Sequence, residues 1–237
     1  TYSNQIWLNL YDPAVFSHPF TGKTIPIRTN WQVENFGSDE KIGVPDDAIS
    51  WNIDTQRWEN VRAGSEATSK ITFDLTLGNW HHEQKMDMND ILYSLYFLQE
   101  WGSEQQQSDN TYDSEYSPQA MQNAKTLVGI KMIDDDTVEM YVDYWHFDEA
   151  EIAAWAAPWS SMPWEIVAAS EDAVLDGKVS FSRSGGVSKS VNWLSLIVPN
   201  DANTIKEQLV EFKETKYIPP SLQDSEHDWQ YFEQRYD

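Results

Sequence analysis

Hydrophobic and polar residues alternate most clearly just after Lys70. Ile71, Phe73, Leu75 and Leu77 share one face of an extended segment, and Thr72, Asp74 and Thr76 share the other. Gly78-Asn79 breaks the run. From Asp87 the period becomes helical: Met88, Ile91, Leu92, Leu95, Leu98 and Trp101 follow its spacing. Asp87 is positioned to cap the free N–H groups, Asp90 lies in the first turn where negative charge is favoured, and Gly102 is a natural stop. The pattern predicts a strand, a turn and an amphipathic helix, with Phe73, Leu75, Ile91, Leu92 and Leu95 buried where strand and helix meet.

A second signal is LVGIKMIDDDTVEMYVDYW. Ile130 and Met132 alternate before Asp134-Asp135-Asp136, and Val138, Met140 and Val142 alternate after it, which predicts a β-hairpin. A helix is expected over 148–157. Another is expected over MPWEIVAASEDAVLDG, with Pro163 suited to the first turn and Gly177 to the end. FSRSGG reads as a turn, WLSLIVP as a short strand, and 201–215 as a last helix presenting Ile205, Leu209 and Phe212 on one face. The first 45 residues are rich in turns, Trp51, Ile53 and Trp58 flank a tight turn at Asp54-Thr55-Gln56, and Ser103 to Pro118 reads as a long polar loop. Strands and helices mix without a regular βαβ rhythm, so the expected class is an irregular, mixed α/β fold.

Composition sharpens this picture in three places. The chain has 237 residues, 40% of them hydrophobic, enough for one sizeable core or two small ones. Its 12 Trp and 11 Tyr suit a core, and also a cleft that takes ligands of variable shape at low entropic cost. The formal net charge of -23 repels nucleic-acid phosphates and anionic lipid, so no nucleic-acid partner is expected. The absence of cysteine removes thiol catalysis, disulfides and thiolate metal sites.

The candidate chemistry is sparse. His81 and His82 are adjacent, and in an extended segment their side chains point apart. With Glu83, Asp87 and His146 they make no HExxH or other zinc spacing, so no metal ligand is expected. Asp134 to Asp136 lack the alternating ligands and glycine of a calcium loop and fit a solvated turn. Ser184-Gly185-Gly186 lacks the Lys and hydroxyl of a phosphate loop, and no GxSxG elbow is present. Tyr112 and Tyr116 lie in the polar loop beyond the best-defined helix, where a tyrosine can close over a ligand or anchor the loop. Asn110 and Asp113 can fix a turn around Tyr112.

The stretch ITFDLTLGNWHHEQKMDMNDILYSLYFL resembles the core signature of family 5 of the extracellular solute-binding proteins, the oligopeptide, dipeptide and nickel receptors of ABC importers. Phe73 and Leu75 fall on the strand positions, Trp80 and His81 on the aromatic-polar pair, and Met88, Asn89, Asp90, Ile91 and Ser94 on the helix opening. The 127–143 hairpin and MPWEIV extend the match, which covers roughly residues 11–176 and leaves 177–237 as a C-terminal segment. Leu77 before Gly78, and Glu83-Gln84 in the turn, depart from the family pattern.

The resemblance implies a two-lobed receptor of class II type, of which residues 1–237 form a partial domain, mainly the smaller lobe. It implies a monomer that binds a peptide or other small solute, works with ABC permease subunits, needs no cofactor and is not an enzyme. It implies an extracellular, cell-surface or periplasmic place, with membrane attachment through a segment outside this sequence. A tyrosine after the acidic-capped helix is implied to reach the ligand, which singles out Tyr112 and Tyr116, with Trp101 at the helix end. The competing expectations are a non-transport cell-surface binding module on the same fold and, more remotely, a metal-dependent hydrolase.

Overall fold

The computed structural model describes residues 12–103, 110–113, 115 and 118–237, with 118–120 as backbone only. The chain is a mixed α/β protein that divides into two compact units. One unit takes in 12–52, 58–91 and 125–161; the other takes in 53–57, 162–237 and the described residues between 92 and 124. Residues 177–237 therefore fold with segments from earlier in the chain.

The first unit is built on an antiparallel sheet. Its strands are β3 (Thr29–Asn35), β5 (Ile49–Asn52), β6 (Arg57–Asn60), β8 (Ser69–Leu75), β9 (Leu127–Met132) and β10 (Thr137–Val142), in the order β3-β8-β10-β9-β5-β6. Two small pairs flank it: β1 (Val15–Ser17) with β2 (Thr24–Pro26), and β4 (Ile42–Gly43) with β7 (Glu66–Ala67). Along β8 the alternation seen in the sequence becomes burial: Ile71, Phe73 and Leu75 are buried, and Asp74 is exposed. Cross-strand charge reinforces the register, with Lys70 bridging Glu34 on β3 at 3.0 Å and Glu139 on β10 at 2.7 Å.

Both faces of this sheet are covered at its centre. Helix α3 (Glu149–Ala156) packs on β2, β3 and β8 through Ile152, Ala153 and Ala156. Tyr141, in contrast, joins Val44, Ala48, Val61 and Ala67 in a separate cluster. Gly129 permits that cluster to close, because a Cβ there would lie 3.0 Å from Val61 and 3.2 Å from Val44. Trp51 and Trp58 meet edge to face, with ring centres 5.5 Å apart, across the turn between β5 and β6.

Helix α1 (Met88–Gly102) begins in the first unit and continues in the second. The second unit contains most of α2 (Pro118–Thr126), then α4 (Trp164–Leu175), α5 (Arg183–Lys189), α6 (Pro199–Thr215) and α7 (Trp229–Arg235). A parallel strand pair, β11 (Val179–Ser180) and β12 (Asn192–Trp193), flanks α5. Helices α4 and α6 pack together through small residues on one side (Ala168, Ala169, Ala173) and Ile205 and Phe212 on the other. The last helix is fastened by Arg235, whose guanidinium donates to buried Glu165 from Nε at 2.8 Å and Nη2 at 2.7 Å.

Two expectations are corrected. FSRSGG is not a turn: Ser182 Oγ accepts the Gly185 N–H at 3.0 Å and starts α5. The glycines hide the helix from a propensity reading, yet Gly186 is needed because a Cβ would meet the Val191 carbonyl oxygen at 2.9 Å. WLSLIVP contributes only Trp193 to a strand; 194–198 form a turn leading into α6, which Pro199 begins.

Candidate functional site

The segment that carries the sequence signature is a hydrogen-bonded unit. After β8, the main chain folds on itself: the Met86 N–H donates to the Gly78 carbonyl and the Trp80 N–H to the Gln84 carbonyl, both at 2.8 Å. Glu83 takes a left-handed backbone, φ 70, in the turn. Asp87 Oδ1 then accepts the Asn89 N–H at 2.9 Å, and Asp90 Oδ2 accepts the Asp87 N–H at 3.0 Å. This is the reciprocal arrangement of a capping box, with aspartate in place of the usual glutamate. The same Asp90 oxygen accepts the Trp80 indole N–H at 3.3 Å. Asp90 is fully buried, so one carboxylate locks the turn to the helix.

His81, His82 and Glu83 are exposed on that turn. Among the described residues no three His, Asp or Glu side chains gather as a metal site. Asp134 behaves as a turn former: its Oδ1 accepts the N–H groups of Asp136 at 3.1 Å and Thr137 at 2.8 Å. Those bonds, the Asp136 one foremost, hold the Asp134 carboxyl below its ordinary value.

In the second unit, α1 and α4 enclose a carboxyl group that sequence reasoning missed. Glu171 accepts from the Tyr93 hydroxyl, from the Trp101 indole N–H at 2.5 Å and from the Tyr96 hydroxyl at 3.1 Å. Burial pushes Glu171 up from 4.5 to about 7; the donors Tyr93, Trp101 and Tyr96 oppose the rise, and the nearby Glu100 carboxyl adds to it. Burial, then the Glu171 charge, raises the Tyr93 and Tyr96 hydroxyls well above their ordinary values, so they remain donors. Phe181 completes the wall, edge-on to Phe97 and Trp101.

A second buried carboxylate, Glu100, lies one residue before Trp101. Its Oε1 accepts from Gln56 Nε2 and from Thr111 Oγ1, both at 3.2 Å. Thr111 ties the Tyr112 segment to the end of α1. Asp113 Oδ1 accepts the Glu115 N–H at 3.0 Å, and Glu115 in turn accepts the Ser184 N–H at 3.3 Å. Asp113 thus turns the chain beside Tyr112, which is half-buried. Trp101 is 2% exposed with its N–H spent on Glu171, so it supports this segment from the interior. Tyr116 lies outside the described residues.

The burial of α1 also differs from the apolar stripe expected for it. Ile91 and Leu95 are buried as expected, whereas Leu92 is half-buried. Tyr93, Phe97 and Glu100 take buried positions, because Glu171 supplies a partner for Tyr93, Phe181 for Phe97, and Gln56 with Thr111 for Glu100.

No protein-family model matches the chain, and no curated protein matches it significantly. Among the described residues no helix is long and apolar enough to cross a membrane.

Proposed function

We propose that this chain is part of an extracytoplasmic receptor that captures solutes for an ABC importer, with peptides as the leading class, and that it is not an enzyme. The observation that carries the reading is the turn locked onto α1 by Asp90. The residues that resemble the receptor signature, Phe73, Leu75, Trp80, Asp90 and Ile91, fall within one continuous strand–turn–helix unit. On this reading the chain is chiefly the smaller lobe of a two-lobed class II receptor. The receptor is monomeric, stands outside the cytoplasm beside permease subunits, and has no nucleic-acid partner or cofactor.

Receptors of this kind hold an extended ligand backbone by hydrogen bonds and accept varied side chains in wet pockets. Tyr112 suits the first task. Its neighbour Thr111 is fastened to Glu100, and a phenol can both hydrogen-bond a backbone and cover an apolar side chain. Tyr116 is proposed for the same role, and Trp101 contributes by anchoring the helix end. The test is to purify the full receptor without denaturation and identify by mass spectrometry what it releases on unfolding. A population of short peptides is expected. Release of a sugar or a nickel chelate alone would replace the substrate class.

A further inference from the structure

The charge of the chain is far from uniform. Against a net charge of -23, residues 177–200 contain Lys178, Arg183 and Lys189 and no acidic residue. Lys178 is taken up by Asp176 at 2.9 Å; Arg183 and Lys189, at the two ends of α5, are exposed. Glu115 sits against the N-terminal end of that helix through the Ser184 N–H, so Lys189 at the far end carries the less compensated charge.

The same segment shows a run of apolar side chains to solvent. Trp193 is 61% exposed, Val187 77% and Ile197 88%, with Leu196 and Val198 also exposed. Single exposed apolar residues are ordinary, but a run of this size in one short stretch marks a contact surface.

This tip is built rather than loose. The Leu194 N–H donates to the Ser180 carbonyl at 2.9 Å, continuing the strand pair. Asp201, buried, accepts the Ser195 N–H at 3.0 Å, and the Val198 N–H returns to the Ser195 carbonyl at 2.8 Å. Leu196 and Ile197 are thereby held at the crest of a turn immediately before α6, with Pro199 as its first residue. The turn thus presents Leu196 and Ile197 to solvent, with exposed Trp193 and Lys189 close before it in the chain.

We propose that residues 187–198 dock on an anionic lipid bilayer, with Leu196 and Ile197 entering the acyl boundary, Trp193 at headgroup level, and Lys189 with Arg183 on the phosphates. A rigid apolar turn has little entropy to lose on insertion, and indole and cationic side chains match the headgroup layer. The acidic remainder opposes approach at long range. At physiological salt, however, screening acts over about 8 Å, so the charges in contact decide the outcome. The inference does not depend on peptides being the captured solute.

The test is cosedimentation of the full protein with vesicles of phosphatidylglycerol and phosphatidylcholine, compared with phosphatidylcholine alone. Preferential binding to the anionic vesicles is expected. Ile197→Ser with Trp193→Ser should lower the partition coefficient by about tenfold or more, and Lys189→Glu with Arg183→Glu by a similar factor. The apolar substitutions lie on exposed positions, and an unchanged far-ultraviolet spectrum verifies that the fold persists. Absence of vesicle binding, or binding that all four substitutions leave unchanged, overturns the proposal. Concentration-dependent self-association abolished by Ile197→Ser assigns the tip to a second copy and overturns it too.

Discussion

Glu171 is the residue on which the second unit turns. Folding buries it, and its neutral form is favoured up to about pH 7 instead of 4.5. Between those values the folded chain holds a proton that the unfolded chain has released. The stability linked to this group is therefore fully present below pH 4.5 and is lost as pH rises through 7, with a slope of at most roughly 1.4 kcal/mol per pH unit. Glu171→Gln keeps an acceptor for Tyr93, Tyr96 and Trp101 and removes the titration. Urea unfolding from pH 4 to 8 should show a flatter profile for the variant, with the variant gaining on the native chain toward pH 8. Identical profiles would show that folding leaves the titration of Glu171 unshifted. None of this was legible in the sequence: Glu171-Asp172 reads as an ordinary acidic pair on a helix, and its partners lie some seventy positions earlier.

At the scale of elements, the lock at the start of α1 was half legible. The position of Asp90 in the first turn announced a favourable charge, but its bond to Trp80 crosses an irregular turn whose shape no periodicity encodes. Asp90→Ala should destabilise by roughly 1–3 kcal/mol, since two donors lose a buried acceptor. The matching readout is tryptophan fluorescence, where the Trp80 environment should change. A loss below about 0.5 kcal/mol would mean that water replaces the carboxylate at no cost. Burial along α1 makes a sharper comparison. Ile91→Ala should cost roughly 2–5 kcal/mol, and Leu92→Ala about 1 kcal/mol, because Ile91 is fully buried and Leu92 half-buried. Equal losses in denaturant titrations would restore the sequence-based face. The stripe misled because aromatic and acidic side chains with distant partners outcompeted a leucine for the interior. The 127–142 hairpin, by contrast, was legible apart from the register shift at Tyr141–Val142: its pairing is local and Asp134 makes its own turn.

For the whole molecule, the sequence marked an irregular α/β class, yet the division into two units from interleaved segments was not visible in it. Long-range pairings such as Glu100 with Gln56 join distant segments within one unit, and such partners are spread through the chain without a repeating signal. The functional reading draws on the part that was legible, the strand, turn and capped helix, and on Tyr112 held beyond it. The proposal is tested most directly by a calorimetric titration of the full protein with a mixed peptide library, repeated with Tyr112→Phe and Tyr112→Ala. Saturable heat with peptides is expected, weakened by loss of the hydroxyl and further by loss of the ring. No heat with any peptide, alongside saturable binding of a sugar or a metal chelate, would contradict peptide capture.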